Sequence, residues 1–229
     1  FLKVILGFLL LFFVSYTFHL QLVVLRQGIA TAIFIYLVHF FWGQKKFYPL
    51  CFVLAFIHSS FFIITAVLIY DKILSYYIKN VKTKIIIISA SILFLSLILL
   101  KVAADLGVRQ ATEDHLLSNE NGGGGFVLFA FIFIFLFFRG LNNVYSDKYG
   151  RIAILGLIIY LMFYYTLPIS GRIIATFLPF IYIYIVSSKN LKITFAGIAF
   201  LLVNIYLFPS SIKGGSLSLE GVRYLEYLL

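Results

Sequence analysis

Eight apolar runs, at about residues 4–18, 27–42, 48–70, 85–102, 125–141, 152–168, 172–187 and 193–208, divide the chain and leave only short polar connections between them. Spanning the hydrocarbon of a bilayer takes about 20 helical residues, since each residue advances a helix by about 1.5 Å. Several runs fall short of that and must draw on their flanks. Of the 229 residues 63% are hydrophobic and 11% charged, and mean hydropathy is +1.09. So few polar side chains cannot cover a soluble globule, and lipid must be the solvent. The expectation is all-α: a polytopic membrane helical bundle forming one transmembrane domain over residues 1–229, with an external loop at 101–124. Phe1 opens the chain just before the first apolar run, with no basic n-region or small-residue cleavage site ahead of it. That pattern suggests a piece of a longer membrane protein whose N-terminal helices are missing.

The formal net charge of +10 does not point to nucleic acid. Lys and Arg sit in the connections, where basic residues hold short loops on the cytoplasmic side. Residues 71–84 carry Lys72, Lys79, Lys82 and Lys84 against Asp71 and read as cytoplasmic. Residues 101–124 carry Asp105, Glu113, Asp114 and Glu120 against Lys101 and Arg109 and read as external. The connections 139–151 and 189–192 are basic again and 168–172 is a tight external turn, so sidedness alternates consistently from residue 71 onward. Upstream, Lys45 and Lys46 mark another cytoplasmic loop, and a single crossing cannot join two loops on one side. Length favours a straight span over 47–70, whereas charge favours a segment broken or re-entrant near His58-Ser59-Ser60. The broken segment is the preferred reading, because non-helical backbone is tolerated at membrane depth where it lines a protein cavity. It brings Arg26, His58, loop 101–124 and Arg172 to one external cavity. An apolar stripe at Ile73, Leu74, Tyr77, Ile78 and Val81 makes 71–84 read as a helix lying along the cytoplasmic leaflet.

Ionisable side chains within membrane-length sequence are costly and therefore functional candidates. Arg26 heads an apolar helix with Gln27 and Thr31 on a neighbouring face, and its guanidinium suits a phosphate or pyrophosphate. The plain alternative is an interfacial arginine reaching lipid headgroups. His58, followed by Ser59 and Ser60, suits a general base or a partner for a sugar hydroxyl; alternatively it packs helices through a backbone carbonyl. Arg172 follows the Pro168–Gly171 turn with Thr176 one turn below it, at the mouth of the same cavity or against lipid phosphate. In the acidic loop Asp105, Arg109 and Glu113 stand at helical spacing, which suits surface ion pairs. Its carboxylates Asp105, Glu113 and Asp114 are also candidates for a catalytic base. Tyr164 and Tyr165 precede Pro168 and suit stacking on sugar rings. No metal motif, phosphate-binding glycine loop or cysteine framework stands beside these residues, Cys51 being the lone cysteine, and no cofactor is expected.

The sequence LRQGIATAIFIYL, followed by QKKFYPLCFVLAFIHSSFFI, resembles the EpsG-type and Wzy-like polysaccharide polymerases. The matching residues are Arg26, Gln27 and Ala30, then Lys45 and Lys46, then Ala55 and His58 with Ser59 and Ser60; GRIIATFLPF around Arg172 matches more loosely. The resemblance covers residues 15–75 well and 165–185 weakly. It implies a bacterial inner-membrane glycosyltransferase that polymerises undecaprenyl-pyrophosphate-linked oligosaccharide repeats at the external face, without a metal. Arg26 and Arg172 would then bind pyrophosphate, with His58 or an acidic-loop carboxylate as base and Gln27, Arg109, Tyr164 and Tyr165 near the sugars. Its partners would be the lipid-linked oligosaccharides, the bilayer and a chain-length regulator. Two other classes compete: a transporter or flippase of lipid-linked oligosaccharide, in which the arginines only bind headgroup phosphates, and an acyltransferase using His58.

Overall fold

The computed structural model describes residues 2–13, 25–105, 124–166, 170–188 and 190–213. Among the described residues the chain forms helices and no strands: α1 (Leu2–Phe13), α2 (Leu25–Phe41), α3 (Phe47–Ile57), α4 (Ser60–Tyr77), α5 (Val81–Asp105), α6 (Gly124–Ser146), α7 (Lys148–Phe163), α8 (Ser170–Ser187) and α9 (Leu191–Lys213). The outward faces are apolar, with Phe56, Phe138 and Tyr206 each more than 75% exposed. Side chains of that kind facing outward need lipid around them. Ser60–Tyr77, Val81–Leu99 and Ser170–Ser187 are each long and apolar enough to cross a bilayer unaided. The chain is an all-α membrane protein.

Helices α7 and α8 form the centre and are buried along almost their whole length. They approach closely because Gly156 has no Cβ; one built there would overlap the Phe177 ring. Small residues at such crossings let helix backbones meet where lipid supplies no hydrophobic drive between them. Asp147 starts α7 by accepting from the backbone N–H of Tyr149 at 2.9 Å and of Gly150 at 2.8 Å, the usual satisfaction of orphan donors at a helix start. Helix α6 bends by 100° at Gly140, whose φ of 135° suits glycine rather than a residue with a Cβ. Phe34 of α2 joins α4 and α8 to this centre, its ring lying 5.4 Å from Phe61 and 5.0 Å from Phe180.

The apolar run 48–70 is broken. Helix α3 ends at Ile57, His58 is extended at φ −145°, ψ 121°, and α4 starts at Ser60. The rings of Phe52 and Phe62 are 5.5 Å apart, whereas ten residues of straight helix would separate them by about 15 Å. The two helices therefore fold back as a hairpin with His58 at its tip. At its open end, Arg151 of α7 meets both Asp71 of α4 and the Trp42 ring just after α2. The Lys45-Lys46 turn and the end of α4 thus share one end of the bundle, as the charges indicated. Because α3 has 11 residues, it rises about 16 Å, half of a hydrocarbon core about 30 Å thick.

Residues 71–84 do not form one surface helix, as their apolar stripe suggested. They divide between the end of α4 and the start of α5, and both Asp71 and Lys84 are buried. The stripe belongs to two helices, and the charges inside it face each other rather than solvent. Arg109, Glu113 and Asp114, with most of loop 101–124, lie outside the described residues. Asp105 closes α5, and its side chain lies outside them too.

Candidate functional site

Three sequence candidates meet at the end of the bundle opposite the lysines. Gln27, one residue after Arg26 at the start of α2, is buried, and its Nε2 donates to the backbone carbonyl of Arg172 and to Thr176 Oγ1 at 2.8 Å. Thr176 Oγ1 in turn donates to the Arg172 carbonyl at 3.3 Å. The first turns of α2 and α8 are thereby tied together, and the arginine on each projects outward while the glutamine faces in. Both guanidiniums are exposed, and among the described residues neither has an ion-pair or hydrogen-bond partner. Two cations on helix starts that are tied together, each a planar fork with open donors, suit a diphosphate group.

His58 completes the arrangement. It is half-buried at the tip of the hairpin, and its Nδ1 lies 2.7 Å from Ser60 Oγ. With the proton on Nδ1 and donated to that hydroxyl, Nε2 is left as an acceptor, which a general base requires. Phe34 touches both Phe61, three residues after His58, and Phe180, eight residues after Arg172, so His58 and Arg172 stand toward the same end of the bundle. The hairpin brings a histidine to the same end of the bundle as an arginine 114 positions away in sequence (172 minus 58). Counting helical residues from Phe34 and its neighbour Phe61, the histidine sits about one and a half turns deeper than Arg26.

Tyr164 is half-buried and Tyr165 exposed where α7 ends. Phe126, at the start of α6, joins them: its ring lies 5.2 Å from Tyr164 and 5.1 Å from Tyr165. This aromatic group stands at the same end as Arg172, because only six residues separate the end of α7 from the start of α8. Nothing in the sequence singles out Phe126, one phenylalanine among 27.

At the opposite end is a cluster the sequence reading missed. Asp71, 2% exposed, accepts from Arg151 Nε at 2.7 Å and pairs with Arg151 Nη2 and, at 3.8 Å, with Lys84 Nζ. Ser75 Oγ donates to the Asp71 carbonyl at 2.7 Å and accepts from Lys84 Nζ at 2.9 Å and Arg151 Nη2 at 3.0 Å. The Tyr145 ring lies 4.1 Å from Lys84 Nζ and 4.7 Å from Arg151 Cζ. The available signal was that Asp71 is the only acid in a run of lysines at the edge of an apolar segment.

A cleft of about 630 Å³ between α6, α7, α8 and α9 is lined by apolar side chains and the Tyr184 ring. It offers no titratable pair for chemistry. Among the described residues no three His, Cys, Asp or Glu side chains stand together as metal ligands.

A model of the EpsG family matches residues 2–227 of the chain. No curated protein and no solved structure matches it.

Proposed function

The chain belongs to the EpsG family, and from that premise we propose that it is a membrane polysaccharide polymerase acting on polyprenyl-pyrophosphate-linked oligosaccharides. Family membership supports the coarse role, a polymerase-type glycosyltransferase in a membrane. The finer reading is that the carrier is undecaprenyl pyrophosphate and that the reaction runs at the external face of the bacterial inner membrane. It is supported by one observation: Gln27 ties the helix of Arg26 to that of Arg172 at the end of the bundle where His58 tips the hairpin.

In the proposed reaction an acceptor hydroxyl on one lipid-linked repeat attacks the anomeric carbon of the growing chain on another carrier. The new bond joins that oxygen to the anomeric carbon, and the bond from this carbon to the pyrophosphate oxygen breaks. His58 Nε2 takes the hydroxyl proton, and carrier pyrophosphate leaves. Negative charge grows on the departing pyrophosphate, where the guanidiniums of Arg26 and Arg172 would stabilise it most. Tyr164, Tyr165 and Phe126 offer aromatic faces for the sugars at the same end of the bundle. Asp105 remains a second candidate base on sequence grounds.

The test is reconstitution of the purified protein in proteoliposomes with lipid-linked repeat units. Ladders of lengthened chains that disappear in Arg26→Ala, Arg172→Ala and His58→Ala variants are expected. Movement of intact lipid-linked units across the bilayer with no new glycosidic bond overturns the polymerase and leaves a transporter.

A further inference from the structure

The Asp71 cluster does no chemistry in the proposed reaction and lies far from it, yet it holds the only buried ion pair among the described residues. Its position in the hairpin explains what it does. Asp71 lies eleven residues after the first residue of α4, about 16 Å along the helix, so it is level with the start of α3. Arg151 belongs to α7, the buried central helix, and Lys84 to α5. The carboxylate is therefore gripped by two helices that belong to the body of the bundle, while His58 sits at the free tip of the same hairpin.

We propose that Asp71, Arg151 and Lys84 form a clamp that sets how deeply the α3–α4 hairpin enters the bundle, making Asp71 a positioning residue for His58. Three observations point this way. The grip is geometrically specific, because Arg151 uses Nε and Nη2 on one carboxylate oxygen and Nη2 also reaches Ser75, one turn along the same helix. A slide of one helical turn, about 5.4 Å, breaks all of these contacts together and shifts His58 by the same distance along the bundle relative to Arg172. The cations are also held from behind by the Tyr145 ring, and Arg151 faces the Trp42 ring in the turn that leads into α3. Both open ends of the hairpin are thus fixed to one guanidinium. Finally, α3 is too short to be anchored by crossing the bilayer, so its depth must be set by contacts of this kind.

The catalytic side of the inference rests on the proposed polymerase reaction; hairpin depth can be read without it. Cys51, the single cysteine, lies on α3 and is fully buried, so its alkylation in native vesicles by a membrane-permeant maleimide reports movement of the hairpin. Asp71→Asn is expected to raise the Cys51 labelling rate at least fivefold, and Asp71→Glu to restore most of the protection. Arg151→Lys keeps the charge without the fork and is expected to fall between them, which also covers the case of Asp71→Asn failing to fold. In the elongation assay, per folded protein, kcat should drop at least tenfold in Asp71→Asn with KM for the lipid-linked unit within twofold. Wild-type Cys51 protection and wild-type kcat in both Asp71→Asn and Arg151→Lys overturn the clamp. If wild-type protein makes no polymer, the functional reading fails, and Cys51 labelling alone decides the clamp.

Discussion

Gln27 Nε2 donates to Thr176 Oγ1 at 2.8 Å across 149 residues of sequence, joining the helix that begins beside Arg26 to the helix that begins beside Arg172. The contact is fully buried, so water does not compete for it. Removing it with Gln27→Leu keeps the volume and loses both donated bonds, while Thr176 retains its own bond to the Arg172 carbonyl. The expected loss of stability is about 1–2 kcal/mol. Elongation should fall further than folding, by roughly a hundredfold, because a shift of about 1 Å in a charge clamp costs that much. Thermal unfolding in detergent and the ladder assay check the two parts, and equal losses in both would remove the positioning role.

Arg172 and His58 are expected to give different kinetic signatures. Arg172→Lys keeps a cation but not the fork, and should be milder than Arg172→Ala, whose loss is about 10²–10³ in kcat. His58→Ala should lower kcat by about 10²–10⁴. Ser60→Ala, which removes the hydroxyl 2.7 Å from His58 Nδ1, should cost less than either. Single-turnover rates with a lipid-linked donor measure all four, and a His58→Ala variant with full activity assigns the base elsewhere, to Asp105 or the acidic loop.

The fold-back at His58 makes a topological prediction. In a Cys51→Ser background, single cysteines replacing Lys45 and Ile78 should react with an impermeant maleimide from the same side of the membrane. Labelling from opposite sides restores the straight crossing of 47–70 and removes the hairpin.

Gly156 should not tolerate a methyl group. A Cβ there runs into the Phe177 ring between the two most buried helices, and overpacking of this kind costs about 1–3 kcal/mol. Gly156→Ala is expected to lower the unfolding temperature in detergent. Adding Phe177→Leu should recover part of the loss, and a neutral Gly156→Ala would mean that the helices can part without cost.

Much of this was legible one residue at a time. The apolar runs located most of the helices, because a bilayer imposes its thickness on any chain that crosses it. The alternation of lysine-rich and acidic connections assigned ends, and it correctly weighed against a straight span through His58. Arg26, His58 and Arg172 stood out because charge inside such sequence is costly. Residues 71–84 were misread for the same reason: an apolar stripe with lysines looks like a surface helix when partners are unknown, and Arg151 lies 80 residues away.

The sequence by itself determined the solvent, the helical class and the short list of costly cations. Those are sums over neighbours in the chain, and they need no knowledge of which helix faces which. Only the tertiary structure decided that α3 and α4 fold back, that Gln27 faces into the bundle while Arg26 faces out, and that Asp71 is gripped by Arg151 and Lys84. Each depends on two distant helix faces meeting in one register, and a buried polar group takes whichever partner that register supplies.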